Sequence, residues 1–160
     1  MTDRIRAYTL IRMTFPRELC REIAKECTLF AVRSVSRAVT QLYEEALAPA
    51  GLKATQLSIL VATAARGGWT MSALAEALTM DRTTLTRNTR PLQRKGLIQI
   101  GAGRDGRSSE VVLTDRGHAV LHRAYPLWRQ TQRRLVSRLG RRRWESLIGG
   151  LAMLKQAARR

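Results

Sequence analysis

Between Asp81 and Gly96 the chain carries Arg82, Thr83, Thr84, Thr86, Arg87, Arg90, Arg94 and Lys95. Residue types of this kind at this density suit contact with a polyanion. An arginine fork can bond the O6 and N7 of guanine, and a threonine can touch a thymine methyl or a phosphate. Leu85 and Leu92 are the apolar positions of the segment. If the segment is helical, a turn of about 100° per residue points these two inward. Arg82, Thr83, Thr86, Arg87 and Arg90 then lie on or near the outer face, with Thr84 closer to its edge. The competing reading is a merely solvated charged face. A second set follows in the stretch spaced by Gly101, Gly103 and Gly106, where Arg104 and Arg107 flank Asp105. An arginine at such a tip can enter a narrow minor groove, where the potential is more negative. The alternative is a local Asp105–Arg107 pair.

Other reactive residue types are sparse. Cys20 and Cys27 are seven apart, about 10.5 Å along an intact helix. A disulfide needs Cα atoms within about 7 Å, so the two cannot bridge within one helix. Cys27 falls on an apolar face and reads best as a small buried hydrophobe. His118 and His122 have the i, i+4 spacing of a metal pair, but zinc needs a third and usually a fourth ligand, and none is evident. No metal and no cofactor is expected. No glycine-rich phosphate loop, HExxH or G-x-S-x-G is present, and no nucleophile–base set or paired carboxylates can be assembled, so an enzyme has no support.

The chain has 160 residues and a net charge of +17, with 25 arginines against four lysines. Such a balance points to a polyanionic partner, most commonly nucleic acid. The excess is uneven: +4 over residues 1–66, +3 over 67–114 and +10 over 115–160. Arg133, Arg134, Arg138 and Arg141 to Arg143 cluster around Gly140. They form either a solvated surface or a second anion or nucleic-acid site. No run approaches 18 apolar residues, so no membrane helix is expected. The first residues make a poor signal peptide, and two cysteines make no disulfide framework, so a cytoplasmic location is expected.

These side chains need elements to hold them. Pro16 is placed to open a helix, and apolar residues then recur every three to five positions from Leu19 to Ala46. A helix of about 30 residues would be roughly 45 Å long, too long for one small core to cover, so a second copy of the chain is expected to cover part of it. Thr55 is expected to cap a second helix ending at Gly67-Gly68. Thr70 caps a short helix, Thr79-Met80 turns, and Asp81 caps the basic helix, which ends at Gly96. Residues 97–100 and 110–113 read as two strands. Thr114 caps a long helix to Gly140, and a last helix runs from Arg141 to about Ala158. Pro91 and Pro126 are expected to bend or loosen their helices. A short helix, tight turn and second helix make a helix-turn-helix, and the hairpin makes it winged. The expected fold is mainly α with a small β-wing: residues 16–50 and 115–160 form a helical dimerisation domain, and residues 51–114 form the winged helix-turn-helix.

At the wing, Asp105-Gly106-Arg107-Ser108-Ser109-Glu110-Val111-Val112-Leu113-Thr114 reads D-x-R-x5-L-T. This resembles the signature of the multiple-antibiotic-resistance regulator (MarR) family of winged-helix transcription factors. Leu74 to Leu78, Asp81 to Arg87, Gly96-Leu97-Ile98 and the stretch from Ser36 through Tyr43 to Leu52 also resemble it. The resemblance implies a homodimer on double-stranded DNA with a near-palindromic operator, with Arg107 as the wing contact and Asp105 as its brace. It also implies a pocket for a small aromatic effector between the first helix and residues 57–64, with Phe30, Tyr43 and Trp69 as candidate walls. The family's peroxide-sensing cysteine position holds Leu29 here, with Cys27 two residues early. The other class that the charge fits is a basic architectural or RNA-associated protein without strict sequence choice.

Overall fold

The computed structural model describes residues 15–102 and 109–158. The chain divides into two compact units, residues 1–39 and 40–160, with the boundary inside a helix.

The first unit holds α1 (Arg17–Glu26) and most of α2 (Thr28–Leu47). The single long helix expected from the periodicity is therefore interrupted. Cys27 leaves the helical conformation with φ −74° and ψ 110°. Its N–H still bonds Ile23 O at 2.9 Å, and its C=O still accepts from Ala31 N at 3.1 Å. One residue swings out while its neighbours keep helical partners, so the apolar spacing carries no trace of the break. Leu19, Ile23, Leu29, Phe30, Val32, Val35 and Val39 are all exposed, and Cys27 is half-buried.

The second unit contains the rest of α2, a 3₁₀ turn at Ala48–Ala50, α3 (Ala54–Arg66), β1 (Trp69–Thr70), α4 (Met71–Ala77), α5 (Arg82–Arg94), β2 (Ile98–Ala102), β3 (Ser109–Leu113), α6 (Asp115–Leu139) and α7 (Arg141–Ala157). The fold is mainly α with a small antiparallel sheet, in the order β1-β3-β2. The hairpin pairs Ile98 with Leu113 and Ile100 with Val111, and the two-residue β1 adds Trp69 opposite Val111. Helix α3 starts two residues earlier than a Thr55 cap implies. Its N-cap is Lys53, whose N–H donates to Gln56 Oε1 at 3.1 Å, so Thr55 lies inside the first turn. Both α5 and α6 continue past their prolines, Pro91 and Pro126.

Leu47, Ile59, Leu60, Leu74, Leu85, Leu92, Ile98 and Val111 form a fully buried aliphatic core. They come from α2, α3, α4, α5 and both hairpin strands, so the core is what locks the helix-turn-helix to its wing. Helix α6 is seated on this body at its N-terminus. Thr114 N donates to Leu97 O at 3.2 Å, Thr114 Oγ1 donates to Gly96 O at 2.7 Å, and that same oxygen accepts from Gly117 N at 3.1 Å. No residue of α7 is buried, and Leu147, Ile148 and Leu151 stay exposed.

Candidate nucleic-acid interface

Helix α5 is built from its cap outward. Asp81 holds an extended conformation and accepts at 2.7 Å from Thr84 N and at 2.7 Å from Thr84 Oγ1. These bonds from Thr84, hydroxyl first and N–H second, hold the Asp81 carboxyl below its ordinary value. The charge also suits the positive end of α5. The tight turn before it is made by Thr79, whose φ of 54° lies in the left-handed region. Met80 N then donates back to Ala75 O at 2.8 Å. On α4 the expected Thr70 cap is present, with its Oγ1 accepting from Ala73 N at 3.2 Å.

Leu85 and Leu92 are fully buried and hold the inner face of α5. Buried Thr89 bonds Thr86 O at 3.1 Å, so no hydroxyl is stranded there. Arg82, Thr83, Arg87 and Arg90 are exposed on the outer side, and Thr84 and Thr86 are half-buried. The Thr84 hydroxyl is committed to the cap. Thr86 Oγ1 donates to Arg82 O at 2.8 Å, which leaves its methyl and a lone pair available. Arg87, Arg90, Gln93 and Arg94 line one shallow cleft. Gln93 is an addition to the residues read from the sequence; its spacing of three from Arg90 already put it beside that residue. Lys95 serves the scaffold, donating from Nζ to Gly51 O at 3.1 Å. Arg104, Asp105 and Arg107 lie outside the described residues.

A separate apolar groove of about 900 Å³ runs between α3 and α6. Leu57, Val61, Ala64 and Ala65 line one wall, and His118, Leu121, His122, Tyr125 and Trp128 line the other. The Tyr125 and Trp128 rings stack at 5.9 Å. One wall falls within α3 and the aromatic wall comes from α6. Of the aromatic residues named from the sequence, Tyr43 and Trp69 do not line this groove. Tyr43 OH donates to Gln132 Oε1, and burial raises its pKa, which favours the neutral phenol. Trp69 Nε1 donates to Ala62 O at 2.7 Å, and the Arg66 guanidinium lies 4.5 Å from its ring centre. Phe30 is exposed on α2 in the first unit. His118 and His122 share the groove wall, and among the described residues no third His, Cys, Asp or Glu joins them as a metal cluster. Cys20 and Cys27 are both free thiols. Among the described residues no helix is long and apolar enough to cross a membrane.

A capped recognition helix packed on a short helix, with a two-stranded hairpin behind it, is a winged helix-turn-helix. Residues 50–108 match the MarR family. The chain is similar to the M. tuberculosis transcriptional regulator MosR in complex with DNA, at 39% identity over 83% of this chain and 96% of that one, with a TM-score of 0.76. It is similar to the transcriptional repressor CouR bound to a 23-mer DNA duplex, at 27% identity over 83% and 95% of the two chains, with a TM-score of 0.76. A probable transcriptional regulator from Pseudomonas aeruginosa matches at 28% identity over 81% and 97%, with a TM-score of 0.74. No curated protein matches the sequence. The chain belongs to the MarR family of DNA-binding transcriptional regulators.

Proposed function

We propose that this protein is a homodimeric, sequence-specific regulator that binds a near-palindromic operator in double-stranded DNA and releases it in response to a small aromatic effector. The observation that carries the reading is the outer face of α5. Arg82, Arg87 and Arg90 project from a helix whose entry is set by the Asp81 cap and whose inner face is held by Leu85 and Leu92. A helix so presented enters the major groove, and its first residues reach base edges. For the wing, the D-x-R signature makes Arg107, with Arg104 near it in sequence, the candidate minor-groove contact. MosR and CouR, whose structures contain DNA, support the choice of partner.

The dimer rests on uncovered apolar surface. Leu19, Ile23, Val32, Val35 and Val39 in the first unit, and Leu147, Ile148 and Leu151 on α7, are exposed in the single chain. Apolar area of this extent marks an interface, and a second copy related by a two-fold axis is the simplest cover. The effector site is the groove between α3 and α6, with Tyr125 and Trp128 as its aromatic wall and His118 and His122 as donors to an acidic group. An effector releases DNA only by binding the release state better than the DNA-bound state.

The test is selection of duplexes from a random library by the purified protein. The expected result is a two-fold-symmetric consensus with half-sites about 10 bp apart, bound at least 10³-fold more tightly than bulk DNA at physiological salt. Recovery of duplexes with no shared sequence would assign the protein to the architectural class instead.

A further inference from the structure

The largest concentration of charge lies away from the reading helix, at the corner where α6 passes into α7. Arg133, Arg134, Arg138, Arg141, Arg142 and Arg143 flank Gly140, and all six are exposed. Among the described residues one ion pair occurs, Arg141 with Glu145 at 3.9 Å. The other five guanidiniums therefore have no carboxylate partner there. A surface meant only for solubility would tolerate lysine or interspersed acids, but none of the six is lysine. Arginine forks match phosphate oxygens bidentately and are more weakly hydrated than ammonium groups. Arg141, Arg142 and Arg143 also occupy the first turn of α7, which holds no acidic residue of its own and no side-chain cap, Glu145 one turn on reaching only Arg141. Cations at that end of a helix are electrostatically opposed by its dipole, an opposition that a bound polyanion relieves.

Position separates this corner from the operator reader. Helix α6 is anchored at Thr114 and Gly117 on the carbonyls and strands behind α5. Arg133 lies 18 residues beyond Asp115, about 27 Å along the helix. We infer that the α6–α7 arginine corner is a second polyanion site that holds the phosphate backbone of a second DNA duplex, so that the protein bridges two DNA segments. The choice of duplex follows from the chemistry of the patch. It offers guanidinium forks suited to a regular phosphate backbone, and among the six residues there is no aromatic platform on which single-stranded bases would stack. The inference rests on the proposed DNA-binding function for the first duplex and on the corner alone for the second.

The experiment tethers the full-length protein through its C-terminus, loads it or not with operator duplex, and measures capture of a labelled non-operator duplex. Two triple variants are compared with wild type: Arg133→Gln/Arg134→Gln/Arg138→Gln and Arg141→Gln/Arg142→Gln/Arg143→Gln. A charge-matched control carries Arg17→Gln/Arg21→Gln/Arg33→Gln, and thermal melts verify that all are folded. The expected result is that operator-loaded wild type captures the second duplex and that either corner variant loses capture at least tenfold. The variants should keep operator affinity within about threefold, and the salt slope of capture should flatten by about 2–3 for three lost phosphate contacts. Capture without operator, abolished in the corner variants, keeps this inference alive even if operator recognition fails. No capture by wild type, equal loss in the control triple, or tenfold better competition by single-stranded RNA would each overturn it.

Discussion

Gly117 sits in the first turn of α6, and a general rule says that Gly→Ala in a helix stabilises. The structure reverses that sign. A Cβ at Gly117 would stand 2.9 Å from Leu113 Cγ and 3.1 Å from the Leu97 carbonyl carbon, and closer still to the carbonyl oxygen. Carbon atoms pack best at about 3.5–4.0 Å, so α6 must retreat from the hairpin by roughly 0.5–1 Å. Overpacking of this kind costs about 1–3 kcal/mol. The retreat also stretches the bonds by which Thr114 holds Leu97 O and Gly96 O, each worth about 0.5–1.5 kcal/mol. The helix gains back about 0.5–1 kcal/mol from the lost glycine. Gly117→Ala should therefore destabilise by about 1–3 kcal/mol. At roughly 2–4 °C per kcal/mol for a chain of this size, the melting temperature should fall by about 2–12 °C. The assay is thermal unfolding at fixed protomer concentration, because a dimer's midpoint depends on it. Gly149→Ala is the control. Gly149 is on α7, nothing lies within 4 Å of its added Cβ, and it points about 160° away from the Leu147–Leu151 stripe. That change should raise stability by about 0.5–1 kcal/mol. A Gly117→Ala protein as stable as wild type would refute the reasoning about α6 seating.

Replacing Arg87 or Arg90 by Ala should weaken operator binding by about 1–3 kcal/mol if each holds a guanine, read by titration against the selected operator. Sedimentation of wild type at micromolar concentration should give about 36 kDa, twice the 18.0 kDa chain, as for a two-fold dimer, and Leu147→Glu/Leu151→Glu should sediment as a monomer. The Asp81 carboxyl is depressed in the folded protein, so its stabilisation is fully present above the ordinary carboxylate range and is lost as pH falls through the lowered folded value. Asp81→Asn, which keeps a capping side chain but no charge, should remove that contribution to the acid limb of the stability–pH curve measured by circular dichroism. Val61→Trp, on the groove wall, should abolish effector-driven release while leaving effector-free operator affinity unchanged.

The local elements were written into the sequence because their causes are local. Thr70, Asp81 and Thr114 each cap the helix expected of them, since a short oxygen side chain needs only the N–H groups of its own first turn. Leu85 and Leu92 marked the inner face of α5 through helical periodicity alone, and the hairpin was announced by two β-rich runs around a glycine-spaced loop. The break at Cys27 was invisible, because a single residue can leave the helix without changing the apolar spacing or requiring Gly or Pro. The family resemblance, not the periodicity, implied a pocket against residues 57–64, and which aromatic residues face α3 depends on how α6 lies across it. That placement is decided by the close approach of Gly117 to Leu97 and by the Thr114 bonds to Gly96 and Leu97. The same long-range packing turned Tyr43 to Gln132 and Trp69 to Ala62, partners 89 and seven residues distant in sequence. Residue type and spacing specify what a helix can present; only contacts between distant segments specify what it presents it to.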